Sequence, residues 1–107
     1  MEIEFDQEYL EELYYYGRTS NKKYRFQPEI IRNYVEIVYT LKIVTRVEDL
    51  DLLKGLHYEK KHGNLAGVEA VWINKQFRLE FISPTEDWQD KKRTICRLLR
   101  ISNHYIN

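Results

Sequence analysis

The sequence predicts a single α+β domain with a small, largely antiparallel sheet, and three observations lead there. Apolar residues recur at helical spacing through the first half of the chain and alternate at strand spacing in the second half. The 107 residues suffice for one domain that buries its own core without a disulfide or metal staple. Hydrophobic residues at 43% and charged residues at 32% fit a globular chain, while four Gly and two Pro speak against disorder or a fibre.

Residues 2–5 alternate, with Ile3 and Phe5 apolar between Glu2 and Glu4, and read as a short strand. Asp6 then precedes an apolar series at Tyr9, Leu10, Leu13 and Tyr14, so a helix capped by Asp6 is expected, ending at Gly17. Residues 18–27 are polar and basic and read as a loop. Pro28 opens the clearest helix, because proline is tolerated at a first helical position. Ile30, Tyr34, Ile37, Leu41 and Val44 carry its stripe to about residue 45, with a further turn ending near Gly55. Val68–Asn74 and Phe77–Ser83 flank Asn74-Lys75-Gln76, a hairpin signal without glycine in the turn. Phe77, Leu79 and Phe81 share one face of the second strand, and Arg78, Glu80 and Ile82 the other. Pro84 ends that strand. Thr94–Ser102 fits both periods, as alternation from Ile95 to Ile101 or as a helix face through Ile95, Leu98, Leu99 and Ser102. The expected order is β-α-α-β-β followed by a strand or a helix.

No apolar run reaches the roughly 18 residues of a membrane helix. The acidic start lacks the basic and apolar regions of a signal peptide, so the cytoplasm is the expected compartment. Cys96 is the only cysteine, which excludes a disulfide framework and a cysteine zinc site. Seventeen basic and 17 acidic residues cancel, but the acidic surplus lies in the first half and the basic surplus in the second. Such asymmetry can mark a basic face or be ordinary surface charge. Zero net charge speaks against indiscriminate binding to a long phosphate backbone.

The second half concentrates groups suited to phosphoryl chemistry. The stretch from Leu56 to Gly67 supplies His57, Tyr58, Lys60, Lys61 and His62; the strand supplies Arg78; the end supplies Asn103-His104-Tyr105. Cleaving RNA without a metal needs a base for the ribose 2′-OH, a cation for the charge on the phosphorane-like transition state, and an acid for the 5′-oxygen. His, Lys, Arg and Tyr fill these roles. Each residue also has a plainer reading: a solvated histidine, a solvated loop, an Arg78 paired with Glu80, a Tyr14-Tyr15-Tyr16 run divided between core and helix surface. Composition alone does not choose. HExxH, a glycine-rich phosphate loop and a serine elbow are all missing.

The string LHYEKKHGNLAGVEAVWINKQFRLEF, residues 56–81, together with Ile101-Ser102-Asn103-His104-Tyr105, resembles the toxins of the RelE/ParE superfamily, and within it the HigB-like branch. Ile3-Glu4-Phe5, Leu13-Tyr14, Gly17-Arg18, Tyr24-Arg25-Phe26 and Val47-Glu48-Asp49-Leu50 are in keeping with that branch, so the similarity spans nearly the whole chain. It implies two N-terminal helices packed on a small, mainly antiparallel sheet, with Thr94–Ser102 a strand. It also implies an mRNA-cleaving endoribonuclease acting on the translating ribosome, with no metal or other cofactor. The implied partners are mRNA, the ribosome and a cognate antitoxin, commonly a HigA-like helix-turn-helix protein; no membrane is involved.

By that resemblance, Arg78 stabilises transition-state charge, His104 acts as general base or acid, and Tyr105 assists proton transfer or stacks on a base. Lys60 holds phosphate. Beyond the residues carried over, Lys61, His62, Trp72 and Asn103 are expected RNA contacts, Trp72 by stacking on a base. The chain departs from the pattern in three places. Trp72 stands where a basic residue is usual, Lys61 where an apolar one is, and Glu80 is placed to neutralise Arg78. Trp72, Glu80 and the missing basic surplus favour an alternative: a catalytically weak or inactive toxin-fold protein that acts by binding, through ParE-like target inhibition or regulation.

Overall fold

The computed structural model describes residues 1–104. In chain order the elements are β1 (Glu2–Phe5), α1 (Glu8–Tyr16), α2 (Pro28–Ile43), β2 (Glu59–Lys60), β3 (Glu69–Trp72), β4 (Phe77–Ile82), β5 (Thr85–Trp88) and β6 (Lys91–Asn103). Three short 3₁₀ turns, Val47–Leu52, Lys54–Leu56 and Gly63–Leu65, lie between α2 and β3. The strand order is β1-β6-β4-β3-β2, with β5 paired to β6. All pairings are antiparallel except β1 with β6, so the α+β class stands and the sheet is mixed.

Both helices bury one stripe on the same face of the sheet. Leu10, Leu13, Tyr34, Val38 and Leu41 meet Val71, Leu79, Phe81, Cys96 and Leu98 in one core. Tyr34 is fully buried, and its hydroxyl donates to the Leu10 carbonyl at 2.8 Å, which ties α2 to α1. Burial pushes the phenols of Tyr9 and Tyr34 and the Cys96 thiol upward, Tyr9 and Cys96 to about 12.

Asp6 does not cap α1. Its N–H donates to the Leu98 carbonyl and so still belongs to the sheet; Gln7 holds the cap position and its amide reaches the Leu99 carbonyl at 2.6 Å. Gly17 ends α1 as expected, with φ 70° and its N–H on Leu13 O. Ile43 ends α2, two residues short of the expected boundary.

The segment Thr94–Ser102 lies within β6, as the resemblance implies. A bulge explains its double pattern: Glu80 pairs with Arg100 but Phe81 with Leu98, which leaves Leu99 unpaired. The core positions Cys96, Leu98 and Ile101 therefore break strict alternation. β5 was not expected at all; it lies beyond Pro84, and Gln89 and Asp90 turn it back at φ 50° and 61°.

Two ion pairs join the acidic first half to the basic second half, and others lie within the second half. The parallel register of β1 and β6 brings Glu2 to Arg93, and Glu4 to Arg97 at 3.0 Å. Glu86 joins Arg93, and Asp87 meets Lys92. No broad basic face results from these residues.

Candidate active site

Residues directly opposite across an antiparallel pair share a face of the sheet. The register sets Trp72 opposite Arg78, and Arg78 opposite Ser102. Val71, Leu79 and Phe81 face the helices, so Trp72, Arg78 and Ser102 occupy the other, open face.

Arg78 is only 4% exposed. Its guanidinium carbon lies 4.2 Å from the centre of the Trp72 ring. Its Nη1 donates to the carbonyls of Asn74 at 2.8 Å and Lys75 at 3.0 Å. Those carbonyls are presented by the β3–β4 turn, which Asn74 shapes in place of glycine. The Asn74 Oδ1 accepts from the N–H groups of Gln76 at 2.9 Å and Phe77 at 2.7 Å. Among the described residues, Nε and Nη2 of Arg78 make no hydrogen bond, and no buried side-chain nitrogen or oxygen lacks one. The two uncommitted nitrogens are therefore not completely enclosed, although the side chain as a whole is nearly buried. A guanidinium anchored through one nitrogen, with donors left on the others, is suited to receive an anion.

The expected neutralisation of Arg78 by Glu80 does not occur. The Glu80 carboxylate is buried and accepts from Nη1 of Arg100, its cross-strand partner. Register explains the choice: Arg100 lies directly opposite Glu80, whereas Arg78 lies two positions along the same strand.

His104 follows the end of β6, where its N–H donates to the Gln76 carbonyl at 2.7 Å. Asn103 pairs with Phe77, so both residues border the turn that holds Arg78. Tyr105 lies outside the described residues. His57 stacks on Trp72 with ring centres 3.9 Å apart, a contact for which the sequence carries no signal, because 15 positions separate the two.

Lys60, Lys61 and His62 form a separate group. Lys60 pairs with Glu69, three residues from Trp72 along β3, which is about 10 Å. Glu69 lies opposite Phe81, so the register puts Lys60 on the helix side of the sheet. Lys61 pairs with Glu59 at 3.0 Å. All three line a cleft of about 570 Å³ with Val47, Glu69 and Ser83. There the buried Glu69 carboxylate accepts from the hydroxyls of Tyr58 and Ser83, each at 2.5 Å. Burial first, and Glu69 second, pushes the Tyr58 phenol well above its ordinary value. The candidate residues thus fall into an Arg78–Trp72 group with the β6 end beside it, and a lysine cleft at the far end of β3.

A family model described as the RelE-like toxin of type II toxin-antitoxin system HigB matches residues 3–95. No curated protein matches the chain. Among solved structures, a YoeB/ParE toxin from Agrobacterium tumefaciens is similar over 98% of this chain and 100% of its own, with a TM-score of 0.61 and 11% identity. That likeness bears on the fold, and the match to the family model covers most of the sequence. The chain belongs to the HigB-like family of RelE-like toxins, the toxins of type II toxin–antitoxin systems.

Proposed function

We propose that this toxin is a metal-independent endoribonuclease that cleaves mRNA on the translating ribosome in the cytoplasm. A cognate antitoxin, a HigA-like helix-turn-helix protein, holds it inactive. The observation that carries this reading is the anchored Arg78 guanidinium, with two of its nitrogens uncommitted among the described residues and the strand end that bears His104 beside it.

In this mechanism a scissile phosphate binds at Arg78. The 2′-oxygen attacks phosphorus as a base takes its proton, and the bond to the 5′-oxygen breaks as an acid supplies one. Arg78 stabilises the charge that develops between these steps. His104 is one of the two proton-transfer groups, and Tyr105 is its neighbour in sequence. A DNA strand has no 2′-OH and is not cleaved. Lys60 lies on the opposite face of the sheet from Arg78, so with Lys61 and His62 it contacts the RNA away from the reacting phosphate.

The test is induced expression of the chain alone, with growth followed and mRNA 5′ ends mapped. New ends within translated frames, lost in His104→Ala, are expected. Arrest without new ends would favour the contact inhibitor.

A further inference from the structure

His57 adopts a backbone conformation uncommon outside glycine. Its φ is 48°, in the left-handed region, just after the turn Lys54–Leu56. Such conformations persist where the surroundings over-determine them, and they concentrate at ligand sites. Here the conformation goes with the imidazole lying on Trp72, planes within 24° of parallel.

β3 lies between β2 and β4. His57 leads into β2 and Arg78 belongs to β4, so the two approach the Trp72 indole from opposite flanks. The indole is the middle layer of a column, with the guanidinium at 4.2 Å and the imidazole at 3.9 Å. A nucleobase cannot stack on Trp72 without displacing one of them. His57 is exposed, and among the described residues its ring has no hydrogen-bond or ion-pair partner. One face of the imidazole rests on Trp72, and the residue is exposed to solvent.

We propose that His57 is the platform on which a base of the RNA stacks, with Trp72 as its rigid backing and Arg78 holding phosphate at the other end of the column. The proposal rests on the RNA-cleaving reading and names a residue that contacts a base. It reassigns Trp72 from direct stacking to support. Stacking tolerates every base, because each presents a π-face.

The test measures binding of a labelled, uncleavable 2′-O-methyl oligoadenylate to the full chain by fluorescence anisotropy. His57→Asn removes the ring but keeps a residue that accepts the left-handed backbone; His57→Phe keeps a ring. His57→Asn is expected to weaken binding about tenfold, and His57→Phe to stay within about threefold of the unsubstituted chain. Binding by His57→Asn as tight as that of the unsubstituted chain, or tighter because Trp72 is uncovered, overturns the proposal. So does failure of the unsubstituted chain to bind. The two readings fail separately. New mRNA ends in cells with no His57 dependence of binding sink the platform alone. His57-dependent binding with no new ends supports the platform and sinks the ribonuclease.

Discussion

Glu80 is hydrogen-bonded to Arg100, and this pairing leaves Arg78 without a carboxylate neighbour among the described residues. Both arginines share the open face with Glu80, and the register decides which of them it takes. Arg100→Met should therefore act in two ways. It strands a buried carboxylate, which costs about 1–3 kcal/mol; the loss is below that for a fully enclosed pair because the Arg100 side chain is 46% exposed. It also frees Glu80 to turn toward Arg78 and lower RNA cleavage. Adding Glu80→Gln should restore both stability and activity. Denaturant unfolding and a cleavage assay on the single and double variants check this, and a double variant as inactive as Arg100→Met would count against it.

Cys96 is fully buried, and burial raises its thiol to about 12. A thiol so placed is inert while the domain is closed. Labelling by a disulfide reagent at pH 8 should proceed only through unfolding. Its rate should fall as stability rises and should match global unfolding measured by fluorescence. Fast labelling in the absence of denaturant would refute the closed core around β1 and β6.

The alkaline limb of stability follows from the buried phenols. Burial raises Tyr9 to about 12 and pushes Tyr34 higher. Their contribution is fully present below the unfolded phenol value of 10.0 and is lost as pH rises through the folded values. Above pH 10 the unfolded chain releases protons that the native state retains, so stability falls by up to about 3 kcal/mol per pH unit from these two groups. Cys96 starts the decline earlier, from its unfolded 9.0. Urea midpoints from pH 8 to 11 should be flat at first and then drop. Tyr34→Phe should flatten the drop while costing about 1 kcal/mol at neutral pH for the lost bond to Leu10.

Much of this architecture was legible in the sequence, and the exceptions have local causes. The β3–β4 hairpin could be read despite its glycine-free turn, because Asn74 supplies the missing turn chemistry with its own side chain. The bulge at Leu99 disguised β6, since core positions at 96, 98 and 101 mix two periods. β5 carries no pattern to read: all four of its residues are exposed, and its turn uses Gln89-Asp90 where Asn-Gly would have been the signal. In the candidate site the residue types were readable, but their grouping was not. Only the register shows that Lys60 and Arg78 lie on opposite faces and that Glu80 prefers Arg100, and only the folded chain shows that His57 meets Trp72.

Arg78 itself gives the most direct prediction. Its role depends on a planar fork: Nη1 is held by two carbonyls of the turn while the plane lies against Trp72. Lysine keeps the charge but has no plane to stack and no second set of donors once its ammonium meets those carbonyls. Arg78→Lys should therefore behave almost as Arg78→Ala. Each should lose about 2–4 kcal/mol of transition-state stabilisation, a fall in cleavage rate of about thirtyfold to a thousandfold. Both should still bind the antitoxin, whose contact does not require the reacting phosphate. Cleavage measured on programmed ribosomes, alongside antitoxin pull-down, separates the outcomes. A lysine variant close to full activity would mean that charge alone suffices and that the stack on Trp72 contributes nothing to catalysis.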